Sequence, residues 1–157
     1  MRRLTLMGAA LLLCASSALA AGPDTQLLAS LNVVRASGVR CPSGPRAATG
    51  ALRWNSQLAG AARQQAAYMA SSGRITHTGR DGSTPRLRAA SYGVSAVSVT
   101  EIVYMNTAPD ITRAMAWWKH SAVHCFYMTD ARYGQAGASV VTGSRGSALV
   151  ILMSSAR

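Results

Sequence analysis

The chain is poor in several residue types, and each shortage narrows the structures open to it. It has one phenylalanine, so alanine, leucine, valine, methionine and the three tryptophans must fill its core. Its longest apolar run, residues 4–13, is too short for a membrane-spanning helix, which needs about 20 residues. No CxxC pair occurs, which disfavours metal ligation by cysteine.

The first 20 residues have the pattern of a cleaved signal peptide. A basic pair and the apolar run are followed by a small-x-small pattern ending at Ala20. We therefore expect an exported protein, periplasmic or extracellular, in which residues 21–157 form a single domain. Lipidation at Cys14 is disfavoured, because Leu13 stands where a small residue is normally required.

Two cysteines remain once the signal peptide is removed, Cys41 and Cys125. In an exported chain such a pair predicts one disulfide, and the alternative is two unpaired buried thiols. Closing a loop of this length would stabilise the fold by about 4 kcal/mol in the chain-entropy model.

The charge is strongly unbalanced, with a formal net charge of +11 from 16 basic and 5 acidic residues. A protein this basic can adhere to anionic envelope polymers or lipid head groups, and a solvated basic surface is the simpler alternative. Nucleic-acid binding is disfavoured, because the arginines are scattered and no aromatic-basic module is present. We expect a monomer whose partner is a small ligand or an anionic envelope polymer.

Hydrophobic spacing predicts helices first, then helix and strand interleaved, then a closing hairpin. Asp24 is expected to cap a first helix that ends at Gly38, followed by an irregular loop over residues 39–50. Trp117 and Trp118 are expected in the core. Further helices are predicted near residues 55–72, 85–90 and after 110, and strands at 97–104, 137–142 and 147–153. This order predicts an α+β fold, with helices packed on an antiparallel sheet.

All three histidines and the only glutamate lie in one part of the chain: His77, Glu101, His120 and His124. Imidazole and carboxylate groups bind metals or move protons near neutral pH. Alternation puts Glu101 on the valine face of its strand, which we expect to point inward. These residues lie on separate segments, so only the fold can bring them together.

His120 and His124 are four residues apart, a spacing that binds zinc in HExxH helices. The alternative is that His120 ends a helix, where its charge interacts favourably with the helix dipole.

Several segments occur in an order that is similar to one family. They are residues 31–35 (LNVVR), 52–58 (LRWNSQL), 77–79 (HTG), 100–102 (TEI) and 118–124 (WKHSAVH). Together they resemble the CAP superfamily, which includes cysteine-rich secretory proteins, venom allergens and plant pathogenesis-related proteins. The short bacterial branch is the most similar. The resemblance implies an α-β-α sandwich with a central cleft.

The resemblance also implies a cleft formed by His77, Glu101, Ser121 and His124. It identifies His77 and His124 as the two cleft histidines, which in some members bind zinc or another divalent cation. Glu101 corresponds to the strand glutamate, either as a general base or as an anchor for an imidazole.

Three positions depart from the family pattern. Ile102 follows Glu101 where an asparagine is frequent, and the His120-Ser121 pair stands where eukaryotic members carry a second cleft glutamate. Gln65 replaces a histidine that many bacterial members have. The acidic partners of the cleft histidines are therefore reduced to one.

The function expected from these features is a binding module whose cleft holds a weakly bound divalent cation or a small ligand. Two imidazoles and a carboxylate could supply three metal ligands and leave a position for water. The same arrangement makes a metal-dependent hydrolase acting on envelope or host material the alternative. Binding of a lipid or sterol in an apolar groove is a third option, implied only by the resemblance.

Overall fold

The computed structural model describes residues 21–155. The expected signal peptide and Cys14 lie outside these residues. Five helices are present in this part of the chain: α1 Pro23–Ser37, α2 Ser56–Ser72, α3 Pro85–Ser91, α4 Ile111–His120 and α5 Ala122–Met128. None of them is long and apolar enough to cross a membrane.

Six strands accompany these helices in the described residues. They are β1 Val39–Cys41, β2 Gly44–Arg46, β3 Arg53–Trp54, β4 Val99–Asn106, β5 Tyr133–Gly143 and β6 Gly146–Ser155. The main sheet has the order β3-β5-β6-β4, and only the short β3–β5 pair is parallel. The predicted α+β fold with an antiparallel sheet is confirmed, including the hairpin that joins β5 to β6.

The two faces of the main sheet pack against different helices. One face meets α1 and α4 through large side chains such as Leu27 and Trp118, both fully buried. The other meets α2 and α3 through an alanine-rich surface. There, a Cβ at Gly137 would overlap the backbone of Leu58 and Ala59, so glycine allows α2 to lie directly on β5.

The start and end of α2 agree with the sequence prediction. Asn55 caps the helix by accepting hydrogen bonds from the amides of Gln57 and Leu58. Gly73 ends it in the left-handed conformation, with φ of 75°, which glycine adopts without steric cost. The loop that carries His77 therefore starts from a well-defined helix end.

Two structural predictions for the N-terminal third of the chain are wrong. Asp24 does not cap α1, because its carboxylate accepts a hydrogen bond from the amide of Val140 in β5. Residues 39–50 are not wholly irregular, since β1 and β2 pair as a short antiparallel ribbon. Asp24 bonds to a strand that is distant in sequence. The β1–β2 ribbon consists of two short strands that hydrophobic spacing did not predict.

The prediction that the tryptophans fill the core holds only for Trp118, which is fully buried and donates a hydrogen bond to the carbonyl of Val103. Trp117 is 49% exposed and Trp54 is 43% exposed. Adjacent positions on α4 face in different directions, so the stripe that buries Trp118 leaves Trp117 at the surface.

Cys41 and Cys125 form the predicted disulfide, with their Cα atoms 5.7 Å apart. The bond joins β1 to α5, two elements that are separated by 84 positions in sequence. Because His124 precedes Cys125, the disulfide also restrains the segment that carries one candidate site residue.

Candidate functional site

The candidate cleft lies along β4, which is an edge strand of the main sheet. Helix α3 packs on one face of this edge through Ala89, and α4 packs on the other through Met115. Residues of the loop before α3 and residues of α5 therefore approach the same strand from opposite sides.

Glu101 lies in β4 and has no exposed side-chain surface. Its Oε2 accepts a hydrogen bond from Nη2 of Arg88 over 2.6 Å. Its Oε1 lies 3.0 Å from Nδ1 of His77, so that ring nitrogen donates to the carboxylate. Both carboxylate oxygens are therefore engaged, one by a buried guanidinium and one by an imidazole.

Arg88 is 1% exposed and also holds the loop in front of α3. Its Nη1 donates to the carbonyls of His77 and Ser83, at 3.0 Å and 2.9 Å. Arg88 thus fixes both the carboxylate that orients His77 and the backbone of His77 itself. Arg88 has no distinguishing local sequence pattern, so its role at this site could not be predicted.

Gln65 holds the same loop from the side of α2. Its Nε2 donates to the carbonyl of Thr76 over 2.5 Å, and Gln65 is completely buried. Gln65 therefore has a positional role next to His77.

His124 lies within α5, and its Nδ1 is 2.8 Å from Oγ of Ser121. The ring of Trp117 packs against it, with ring centroids 4.9 Å apart. Burial lowers the pKa of His124, and the positive charge of His77 lowers it further. The two histidines therefore interact electrostatically, and the neutral form of His124 is favoured.

His120 is positioned differently from the other two histidines. It is the last residue of α4 and is exposed, and its Nδ1 donates to the carbonyl of Ala116 over 2.7 Å. Because α4 ends at His120 and α5 begins at Ala122, no continuous helix presents an HxxxH pair.

A cavity of about 360 Å³ lies beside His77 and Glu101. Its wall includes Tyr127, which sequence reasoning missed, together with Thr84 and Val99. This volume is at the lower end of the range for small-molecule sites. The half-exposed imidazole of His77 opens to it, together with the exposed Arg86.

The expected three-ligand metal arrangement does not form among residues 21–155, where no group of three or more His, Cys, Asp or Glu side chains could hold a metal. Both carboxylate oxygens of Glu101 are bonded, one to Arg88 and one to His77. Within the described residues the remaining candidate ligands are the two imidazoles.

Comparison with known proteins identifies the family. The sequence profile of the cysteine-rich secretory protein family, CAP, matches residues 28–153. This chain belongs to that family. The resemblance inferred from the ordered motifs is confirmed, and no curated protein sequence matches the chain significantly.

Solved structures of CAP and SCP proteins share the fold. An outer surface protein from Borrelia burgdorferi superimposes with a TM-score of 0.70 and 19% identity, covering 85% of this chain and 92% of the other. Venom allergen-like protein 4 from Schistosoma mansoni gives 0.61 and 15%, covering 87% and 90%.

An extracellular SCP-domain protein from Bacillus anthracis has a TM-score of 0.69 and 15% identity over 85% of this chain. The match spans only 40% of that longer protein. At these identities the similarity establishes the fold, and the α-β-α sandwich is confirmed. The Cys41–Cys125 disulfide is of the kind that persists in oxidising compartments, as expected of an exported protein.

Proposed function

We propose that the cleft between His77 and His124 binds a divalent cation such as zinc weakly, or a small ligand in its place, without strong catalysis. The observation that carries this proposal is that each imidazole has its Nδ1 next to a fixed partner. His77 donates to Glu101, and Nδ1 of His124 lies beside Ser121 Oγ. When Nδ1 carries the proton, the Nε2 lone pair is free to bind a metal.

The electrostatics of His124 support the same proposal. A histidine that binds a metal must be neutral, and burial lowers the pKa of His124. A cation bound by two imidazoles would retain several water ligands, which accords with weak binding. A structural zinc site would instead require four protein ligands.

Glu101 supports a binding role over a hydrolytic one. A general base must reach a water or substrate proton, whereas both Glu101 oxygens are held by His77 and Arg88. We infer that Glu101 anchors His77 rather than acting on substrate. We further propose that the exported protein works in the periplasm or the extracellular medium.

Calorimetric titration with zinc tests the proposal. Binding should be lost in the double variant His77→Ala/His124→Ala, while the free energy of unfolding should change by less than about 1 kcal/mol, because His77 is half exposed and His124 is only partly buried. Its matched control is His120→Ala, which removes the imidazole outside the cleft and should leave zinc binding intact.

The same preparations distinguish binding from hydrolysis. Zinc binding that survives in the double variant but disappears with His120→Ala would overturn the site assignment. A strong, chelator-sensitive hydrolysis of envelope polymers by the wild-type protein, lost in the double variant, would replace the binding module with the hydrolase.

A further inference from the structure

A second depression is lined by other residues of the loop that carries His77. It is formed by α2 and residues 74–82 and has a volume of about 640 Å³. An adjoining depression of about 260 Å³ shares Tyr68, Gly79 and Arg80 with it. We call the combined surface the α2 groove, and its size lies within the range of ligand sites.

The α2 groove carries two unbalanced positive charges. Arg74 and Arg80 line it, both are exposed, and neither guanidinium forms a hydrogen bond or ion pair with another residue in the described part of the chain. The nearest acidic residue in sequence is Asp81, whose Oδ1 accepts hydrogen bonds from the amide and hydroxyl of Ser83. An anion in the groove would therefore meet two available guanidinium groups.

The remaining acidic side chains of the described region already have partners elsewhere. Asp24 accepts from the amide of Val140, Asp110 caps α4, and Asp130 pairs with Arg132. Glu101 is bonded inside the cleft. Among the described residues, no carboxylate forms an ion pair with Arg74 or Arg80.

The other groups in the groove are neutral polar side chains and one aromatic ring. Tyr68 lies between the two depressions, and Gln64 and Ser71 line the smaller one. Gln65 forms part of the same wall, and its buried Oε1 has no hydrogen-bond partner in the described structure. A buried acceptor without a partner is costly, but this atom lies beneath the surface of the groove and is not offered to a ligand.

We propose that the α2 groove binds an acidic polysaccharide. The carboxylate groups of the ligand would bind Arg74 and Arg80, and one of its sugar rings would pack against Tyr68. Guanidinium groups bind carboxylates through paired, charge-assisted hydrogen bonds. A tyrosine ring offers an apolar face with a polar edge, which suits a sugar ring. Amide and hydroxyl groups along the wall suit sugar hydroxyls, which both donate and accept hydrogen bonds.

A lipid surface fits the groove less well. Membrane attachment requires apolar side chains that insert beside the charges, and Ile75 is the one large aliphatic side chain in the lining. Nucleic-acid strands are bound by successive aromatic platforms, whereas the groove has only Tyr68. The saccharide is thus the ligand class that uses the most lining groups.

The test is calorimetric titration of the full mature protein with hexagalacturonate at low salt. Wild-type protein should bind, and Arg74→Gln/Arg80→Gln should bind at least about tenfold more weakly, because two charge-assisted contacts are lost. The matched control Arg40→Gln/Arg53→Gln removes the same charge from exposed arginines outside the groove and should weaken binding less than about twofold. Thermal unfolding should be similar in all three proteins, because the replaced side chains are exposed.

Further titrations distinguish the classes of ligand. Maltohexaose, an uncharged oligosaccharide of the same length, should not bind, and Tyr68→Ala should weaken hexagalacturonate binding. Equal losses in the two double variants would show that net charge alone drives binding and would overturn the proposal. It would also be overturned if the protein bound phosphatidylglycerol vesicles or single-stranded DNA but not hexagalacturonate. Zinc binding is measured separately, so failure here leaves the cleft proposal standing.

Discussion

Arg35 and Arg88 are equally buried, each 1% exposed, yet they have different partners. Arg88 bonds to the carboxylate of Glu101 and to two loop carbonyls. Arg35 donates only to backbone carbonyls, namely those of Gly50, Met128, Asp130 and Tyr133. One arginine orients a side chain of the candidate cleft, whereas the other joins chain segments that are far apart in sequence.

The comparison shows that burial of a cation does not by itself identify a functional site. Burial lowers the pKa of Arg35, and the nearby charge of Asp130 raises it only in part. The carbonyls around Arg35 take up its hydrogen bonds and leave no side chain for a ligand. Arg88 instead bonds to the Glu101 carboxylate, which orients the half-exposed ring of His77. The chemical nature of the partner therefore distinguishes the two regions.

The largest expected effect is that of removing the disulfide. It concerns the Arg35 region, because Arg35 donates to backbone carbonyls at and just after the end of α5. Replacing both Cys41 and Cys125 by alanine should lower the free energy of unfolding by about 4.5 kcal/mol, because the loop spans 84 positions. Urea denaturation measures the change. A loss below about 1 kcal/mol would show that Arg35 and the core hold α5 without the bond.

Replacing Arg88 by methionine should destabilise the protein by about 3–4 kcal/mol, because it leaves the Glu101 carboxylate buried without its cation. Zinc binding should weaken as well, since His77 loses its oriented partner. Urea denaturation and calorimetry report the two effects. If zinc affinity were unchanged in this variant, Arg88 would be structural in the same sense as Arg35.

Replacing Arg35 by methionine should cost about 2–3 kcal/mol, somewhat less than the Arg88 change. Carbonyls lose their donor, but no charge is left unpaired, and the carbonyl of Asp130 also accepts from the amide of Tyr133. Zinc affinity of the folded protein should not change. Arg40→Met, on the exposed part of β1, is the control and should alter stability by less than about 0.5 kcal/mol.

The smallest effect concerns pH. Because the folded-state pKa of His124 is lowered, its stabilising contribution is present above the unfolded pKa of about 6.5 and is lost as the pH falls toward the lowered value. Unfolding free energies between about pH 7.5 and about pH 5.5 should therefore decline less steeply in His124→Asn than in the wild type. Parallel curves would show that His124 is not desolvated in solution.

Local sequence was sufficient for the elements with clear chemical signals. Asn55 and Gly73 bound α2, Thr84 caps α3, and Asp110 caps α4. In each case a short polar side chain or a glycine satisfies the helix end within a few residues. Such contacts depend on nearest neighbours along the chain, which is why the positions of these helices could be predicted.

Other features depend on residues that are distant in sequence. Asp24 bonds to β5 instead of capping α1, and Trp117 lies beside His124 at the surface instead of in the core. Gly137 is required because α2 lies on β5. None of these contacts has a local periodicity, so composition and spacing could not predict them.

The sequence by itself determined the chemistry that is present: two cysteines beyond the expected signal peptide, one glutamate, three histidines and a large excess of arginine. It also determined the family, through the order of its motifs. Only the tertiary structure decided which groups are free to act. It engaged both oxygens of Glu101, placed His120 apart from the cleft and left Arg74 and Arg80 exposed in a groove. The physical reason is that the hydrogen-bond partners and the solvent exposure of a side chain are set only when the chain folds.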